Sequence, residues 1–349
     1  MSPIKSLVKE QIEKYEWYRY HHISNTIAQN TLQNLEKEKG KFPLTLKKQS
    51  DAYAKEILGW KGFSPWLYVY SHFSEAFKEG WIPDNFYGKV VIPKIQGDYG
   101  KISYLKPITH KLFEEKPCLD LGYLINGRCF DNDYNPVLQA DFKNLLFQDT
   151  NKVICKLDQS CQGKGVYVFL YKEFEISKIL KLGNCVIQKY IQQHHFFNAF
   201  TTDSVATIRL TTVIDCNFQV SLRAAYLRLG RKHNTHVSSE DHIRISINMD
   251  NGTLNSLGYL PNWHKIEQHP DTLEKFDHKL IPNFEECKIL VERLHRRVPM
   301  VQAIGWDLIV GTNNEPIIME WNGYSNDIKF SEASQGPCFK DLGWNKLRI

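Results

Sequence analysis

The stretch AIGWDLIVGTNNEPIIMEWN, residues 303–322, constrains the fold more than any other. Two β-forming apolar runs flank a polar turn, which reads as a hairpin. Each arm carries an acid, Asp307 and Glu320, with Asn322 just beyond. If Asn313-Asn314 is a two-residue turn, whose positive φ asparagine tolerates, Asp307 falls directly opposite Glu320. The two side chains then share one sheet face, with Cβ atoms about 4.5–5.5 Å apart. Asn322 follows on that face. Like charges so placed repel, and burial makes the repulsion worse. Compensation requires a shared proton, a basic partner or a divalent cation. Two carboxylates and an amide oxygen are hard ligands, suited to Mg²⁺ that also takes water and phosphate oxygens. The alternatives are two separately solvated acids, or an acid paired with Arg or Lys; a one-residue bulge would break the register.

A second feature is KLDQSCQGKGV, residues 156–166, a turn between two strands that contains Ser160, Gly163 and Gly165. Small residues let backbone N–H groups close around phosphate oxygens, and Lys156, ending the first strand, is placed to reach a phosphate. Neither GxxxxGK[ST] nor GxGxxG occurs. The alternative is an ordinary glycine hairpin with a surface lysine.

Around these features the pattern is mixed. Apolar residues at 4, 7, 8, 12, 15, 18, 23 and 27 have helical spacing, and Lys47 to Leu58 reads as a second helix stopped by Gly59. The aromatic, Pro- and Gly-bearing run that follows gives no clear element, and Ile108 to Glu115 reads as a short helix. From residue 150 strands dominate: KVICKL, GVYVFLY, CVIQKYI, two long runs near 205–214 and 217–228, and DHIRISINMD. Helices 173–182 and FEECKILVERLHRR intervene, and 231–241 is a polar loop. Without strict βαβ alternation the expectation is an α+β fold with antiparallel sheets.

Bulk properties narrow the function. A chain of 349 residues divides into two or three lobes. Its net charge of +5 is spread along the length, with no Lys/Arg cluster suited to a nucleic-acid groove. The eight cysteines form no CxxC and no zinc spacing, as expected of reduced thiols in the cytoplasm. The first residues lack the apolar core of a signal peptide, and no run approaches the roughly 20 apolar residues of a membrane span.

Taken together, LKPITHKLFEEKPCL, KLDQSCQGKGV, VIQKYIQQH, SVATIRLTTV, GTLNSLGYL, HPDT, IGWDLIV and IIMEWN, in this order and spacing, resemble the ATP-grasp superfamily. The resemblance is to its sugar-transfer associated branch, related to α-L-glutamate ligases. It implies two α+β lobes gripping ATP: a small lobe at 101–192 with the glycine loop and a large lobe at 193–349 with the metal site, after an N-terminal lobe at 1–100. It places Lys106, Lys156, Ser160, Gly163 and Gly165 at the phosphates. Gln188, Lys189, Tyr190 and Ile191 line the adenine pocket, and His194 or His195 lies near the ribose. Arg209 binds the γ-phosphate and an acyl intermediate, while Asp307, Glu320 and Asn322 hold Mg²⁺. The implied activity is an ATP-dependent carboxylate–amine ligase acting on small molecules through an acyl phosphate, with Arg209 and Lys156 catalytic. The loop 160–165 and segment 231–241 would form its lid, and its setting would be cell-surface polysaccharide synthesis. A kinase acting on a hydroxyl, or a nucleotide- or sugar-binding relative without chemistry, are the alternatives. Two departures stand out: histidines occupy positions where relatives often carry a ribose-binding carboxylate, and NTHVSSEDHIRIS replaces a segment that tends to be glycine-rich, next to the acceptor pocket.

Overall fold

The computed structural model describes residues 3–160, 165–202, 204–231 and 242–348. Gly163 of the glycine turn and residues 232–241 of the expected lid lie outside the described residues. The chain forms two compact units.

The first unit comprises Met1–Gly97, Asn262–Lys265 and Asp327–Ile349. Its helix Pro3–Lys39 is the one expected from the sequence, but it buries a different face. His21, Ser24, Ala28, Thr31 and Leu35 are buried, whereas Val8, Ile12, Tyr15, Tyr18, Ile23 and Ile27 are exposed. Small and polar side chains win the interior because they admit close approach and hydrogen bonding: Trp66 Nε1, on helix Ser64–Ser74, donates to Ser24 Oγ at 2.9 Å. The second expected helix runs Leu44–Ala52 and continues as a π turn, Tyr53–Ile57, ahead of Gly59 at φ +88°.

The last segment, Asp327–Ile349, belongs to this first unit and not to the region 193–326 that precedes it. The fully buried Glu332 shows why. Its carboxylate accepts from Ile82 N (2.8 Å) and Cys338 N (2.7 Å), and its carbonyl accepts from Trp81 Nε1 (2.9 Å). Burial raises its pKa to about 7 against the pull of these N–H groups.

The second unit, Asp98–Pro261 with Ile266–Asn326, is built on two antiparallel sheets. The smaller contains β1 (Asp120–Ile125), β2 (Arg128–Asp131), β3 (Pro136–Val137), β4 (Lys152–Leu157), β5 (Val166–Leu170) and β6 (Cys185–Lys189), ordered β3-β2-β1-β6-β4-β5. Alternation along β4 and β6 sends Val153, Cys155, Cys185 and Ile187 into a core with Phe142, Leu146 and Ile179. Lys156 and Gln188 take the other face.

The larger sheet contains β7 (Thr207–Ile214), β8 (Val220–Leu229), β9 (Ile243–Ile247), β10 (Leu254–Tyr259), β11 (Lys265–Ile266), β12 (Ala303–Val310) and β13 (Pro316–Asn322), ordered β11-β10-β9-β8-β7-β12-β13. Ile208, Leu210, Leu227, Ile245, Trp306 and Leu308 join a core with Cys287, Leu290, Val291 and Leu294 of helix Phe284–Arg297. The opposite face carries Thr207, Arg209, Tyr226, Arg228, Arg244, Ser246 and Asp307, since strand residues two apart share a face and the registers align these positions. The α+β expectation holds.

Glu332→Leu leaves the buried N–H groups of Ile82 and Cys338 without acceptors, at an expected cost of about 2–5 kcal/mol. Urea melts of the variant should show this loss, and Glu332→Gln, which keeps one acceptor, should lose less.

Candidate functional site

The hairpin of residues 303–322 places Asp307 opposite Glu320, though not through a two-residue turn. The turn is a three-residue loop, closed by Gly311 N donating to Glu315 O at 2.8 Å, with Asn314 at φ +64°. Near the loop Val310, Ile309 and Leu308 pair with Pro316, Ile317 and Ile318; the next pair is Asp307 with Glu320. Met319 is therefore an extra residue, a β-bulge, and it restores the register that the longer loop shifts. Its carbonyl accepts from Lys156 Nζ at 2.9 Å.

The two acids are compensated by basic partners. Arg209 faces Asp307 on β7 and grips it with two bonds, Nε to Oδ1 at 2.6 Å and Nη2 to Oδ2 at 2.9 Å, the strong bidentate geometry. Arg228 Nη2 reaches Oδ1 at 2.6 Å, and Asn322 Nδ2 lies 3.4 Å from Oδ2. Burial alone would raise the Asp307 carboxyl; Arg209 and Arg228 overcome it and hold the pKa at about 2. Asn326 Oδ1 accepts from Arg209 Nη1 at 3.2 Å, and Gly305 lets this happen, because a Cβ there would strike that amide. Glu320 Oε1 accepts from Lys106 Nζ at 2.6 Å.

Lys106, Lys156, Gln188 and Glu320 line one pocket, together with Ser103, Thr109, Cys118, Asp120, Val186, Met319 and Trp321. Its free space, counted with the part open to solvent, is about 310 Å³. The Lys106 backbone is fixed by its N–H donating to Asp158 Oδ1 at 3.0 Å. Burial lowers the pKa of Lys156, against the pull of Glu320. Ser160 and Gly165 frame the glycine turn: the Ser160 hydroxyl donates to Leu157 O at 2.7 Å, and Gly165 has φ +84°.

The remaining expected residues do not line this pocket. Lys189 is exposed at the end of β6, its N–H donating to Leu119 O. Tyr190 stacks under Lys152 Nζ at 3.5 Å from the ring centre. Ile191 is buried in the large-sheet core, and His195 is exposed with its ring 4.0 Å from that of His194.

Three further residues contribute. Arg228 sits two residues before Gly230 in AAYLRLG, with nothing in that run to mark it as a carboxylate partner. Asp120 lies one residue past the quoted stretch ending in KPCL. Cys118, inside that stretch, has its thiol pKa pushed well up by burial.

As hard oxygen donors, Asp307, Glu320 and Asn322 fit a divalent cation in type. In this arrangement both Asp307 oxygens already accept N–H donors, while Glu320 gives one oxygen to Lys106.

Residues 170–341 match the model of the family described as sugar-transfer associated ATP-grasp. Over that stretch the chain carries the sequence of the ATP-grasp superfamily, in its sugar-transfer associated family. No curated protein matches the chain. Among solved structures it is similar to N5-carboxyaminoimidazole synthetase from Staphylococcus aureus complexed with ADP: 13% identity, TM-score 0.40, covering 67% of this chain and 48% of that one. It is similar also to the D-alanine-D-alanine ligase from Coxiella burnetii: 13% identity, TM-score 0.40, 72% of this chain and 58% of that one. The chain spans about half the length of the carboxyaminoimidazole synthetases it matches, 44% to 50% in three of them.

Asp307→Asn leaves the buried Arg209 and the partly buried Arg228 short of a counter-charge, and an expected loss of about 3–5 kcal/mol follows at neutral pH. Folding lowers the Asp307 pKa from 3.8 to about 2, so its stabilisation is complete above pH 3.8 and is lost as pH falls through about 2. Urea melts should therefore show the gap between wild type and Asp307→Asn narrowing as the pH falls from about 4 towards 2.

Proposed function

We propose that this chain is an ATP- and Mg²⁺-dependent carboxylate–amine ligase that works through an acyl phosphate. Its substrates on this reading are a sugar acid or similar carboxylate and an amino acid or other amine, in polysaccharide assembly. The observation that carries the proposal is one pocket lined by Lys106, Lys156 and Glu320, with Glu320 in register beside the Asp307–Arg209–Arg228 cluster.

In this reading Lys106 and Lys156 bind the phosphates, and the turn framed by Ser160 and Gly165 closes over them. Gln188 and the chain after it, Lys189 to Ile191, hold the adenine, with His195 near the ribose. Arg209 and Arg228 stabilise charge on the γ-phosphoryl group and on the acyl phosphate formed when the substrate carboxylate attacks it. The amine then displaces phosphate. Glu320, Asn322 and Asp307 would hold Mg²⁺, which supplies charge neutralisation at the β- and γ-phosphates. No protein nucleophile takes part: the residues position and stabilise charge. Sugar chemistry rests on the family description alone.

The test supplies Mg²⁺-ATP with a panel of uronic acids and amino acids and follows products by mass spectrometry and a phosphate assay. A ligase yields ADP, free phosphate and an amide. A phosphorylated acceptor without free phosphate would make it a kinase, and a titration without Mg²⁺-dependent ATP binding would make it a non-catalytic relative. Glu320→Gln should lower turnover roughly 10²-fold or more if it serves the triphosphate; near wild-type turnover would remove it, and the metal assignment, from the mechanism.

A further inference from the structure

Asp120 is a pocket residue that the proposed mechanism leaves unused. It opens β1, directly opposite Gln188 on β6, and is 6% exposed. Its Oδ1 accepts from Gln188 Nε2 at 2.7 Å. Its Oδ2 accepts from Tyr123 OH at 3.1 Å and lies 3.2 Å from His110 Nε2. The Tyr123 hydroxyl is also 3.0 Å from His110 Nδ1, so Oδ2 is held by a tyrosine that the histidine braces in turn.

The consequence falls on Gln188. A side-chain amide has a donor end and an acceptor end, and a carboxylate accepts only. A half-turn of the amide would set its oxygen against the Asp120 oxygen, an unfavourable contact between acceptors in a buried site. The NH₂ end is therefore committed to Asp120. The carbonyl end accepts no hydrogen bond among the described residues, and Gln188 lines the pocket. The pocket wall thus offers an acceptor at this point.

We propose that Asp120 is a positioning residue that fixes the Gln188 amide, so that the pocket selects a nucleotide base bearing an amino group over one bearing an oxo group at the atom facing Gln188: a 6-aminopurine over a 6-oxopurine. The inference rests on the reading of this pocket as the ATP site. An oxo group there would meet the Gln188 oxygen, leaving two acceptors opposed. An amino group donates into it. A site built to hydrogen-bond one partner rejects the analogue that cannot return the bond.

The test is calorimetric titration of Mg²⁺-ATP and Mg²⁺-ITP into wild type and Asp120→Asn. Wild type should bind ATP at least about tenfold tighter than ITP. In Asp120→Asn the new amide can accept from or donate to Gln188, which is then free to turn and donate to a 6-oxo group. The ATP-to-ITP ratio should fall towards one, by loss of ATP affinity and gain of ITP affinity together. A purely structural role would weaken both nucleotides alike and leave the ratio unchanged. Gln188→Met, which removes the acceptor without altering Asp120, gives an independent reading should Asp120→Asn fold poorly: ATP affinity should fall and ITP affinity hold. The inference is overturned if wild type binds ATP and ITP equally, or if the ratio survives in the folded variants. A wild type that binds neither nucleotide overturns the ATP reading itself.

Discussion

The second unit is organised around Asp307. It sits on an interior strand, 7% exposed, where an unpaired carboxylate would be costly. Two guanidiniums and an amide surround it, and each is held in turn. Arg209 comes from the neighbouring strand at the same register and is braced by Asn326. Arg228 comes from the strand beyond. The polar row Glu320, Asp307, Arg209, Tyr226 and Ser246 follows from pairing across five strands. The other face of those strands closes the core around Trp306 and Leu308. A single period-two alternation thus supplies both the interior and the charged surface.

The bulge at Met319 is what allows this. A three-residue loop alone would set Asp307 opposite Met319 and send Glu320 to the apolar face, because a one-residue slip reverses every side chain. The extra residue returns Glu320 to the side of Asp307, within reach of Lys106. It also presents a backbone oxygen to Lys156. One local irregularity therefore places an acid and holds a lysine whose charged form burial disfavours.

Apolar runs and turn residues sufficed for the strands of both sheets, since alternation and β-branched composition survive into the fold at KVICKL, CVIQKYI and the two arms of the hairpin. The opposition of Asp307 and Glu320 was legible, but through two unseen one-residue shifts that cancel, the longer loop and the bulge. The buried face of helix Pro3–Lys39 was not legible, because Ser24, Ala28 and Thr31 pack by close approach and hydrogen bonding, which hydropathy does not register. Of the pocket, Lys156 was marked in the sequence by its place near the end of a strand, ahead of a glycine-bearing turn. The candidate site was not legible where a residue acts through a neighbour: Asp120 acts on Gln188, and Arg228 on Asp307, by contacts between positions far apart in sequence.

The ion pairs also bear on how a nucleotide would enter. Glu320 and Asp307 are balanced by Lys106, Arg209 and Arg228, the same cations that phosphates attract on the proposed reading. A triphosphate brings negative charge that competes for them, and a divalent cation brings positive charge that competes for the acids. Either alone would strip one partner from a buried pair, and the group left behind is costly. Both arriving together exchange partners while every charge stays compensated. On the proposed reading, metal and nucleotide would therefore enter together more readily than one after the other, because Asp307, with both oxygens accepting N–H donors, would take a cation only as one of those donors found another oxygen.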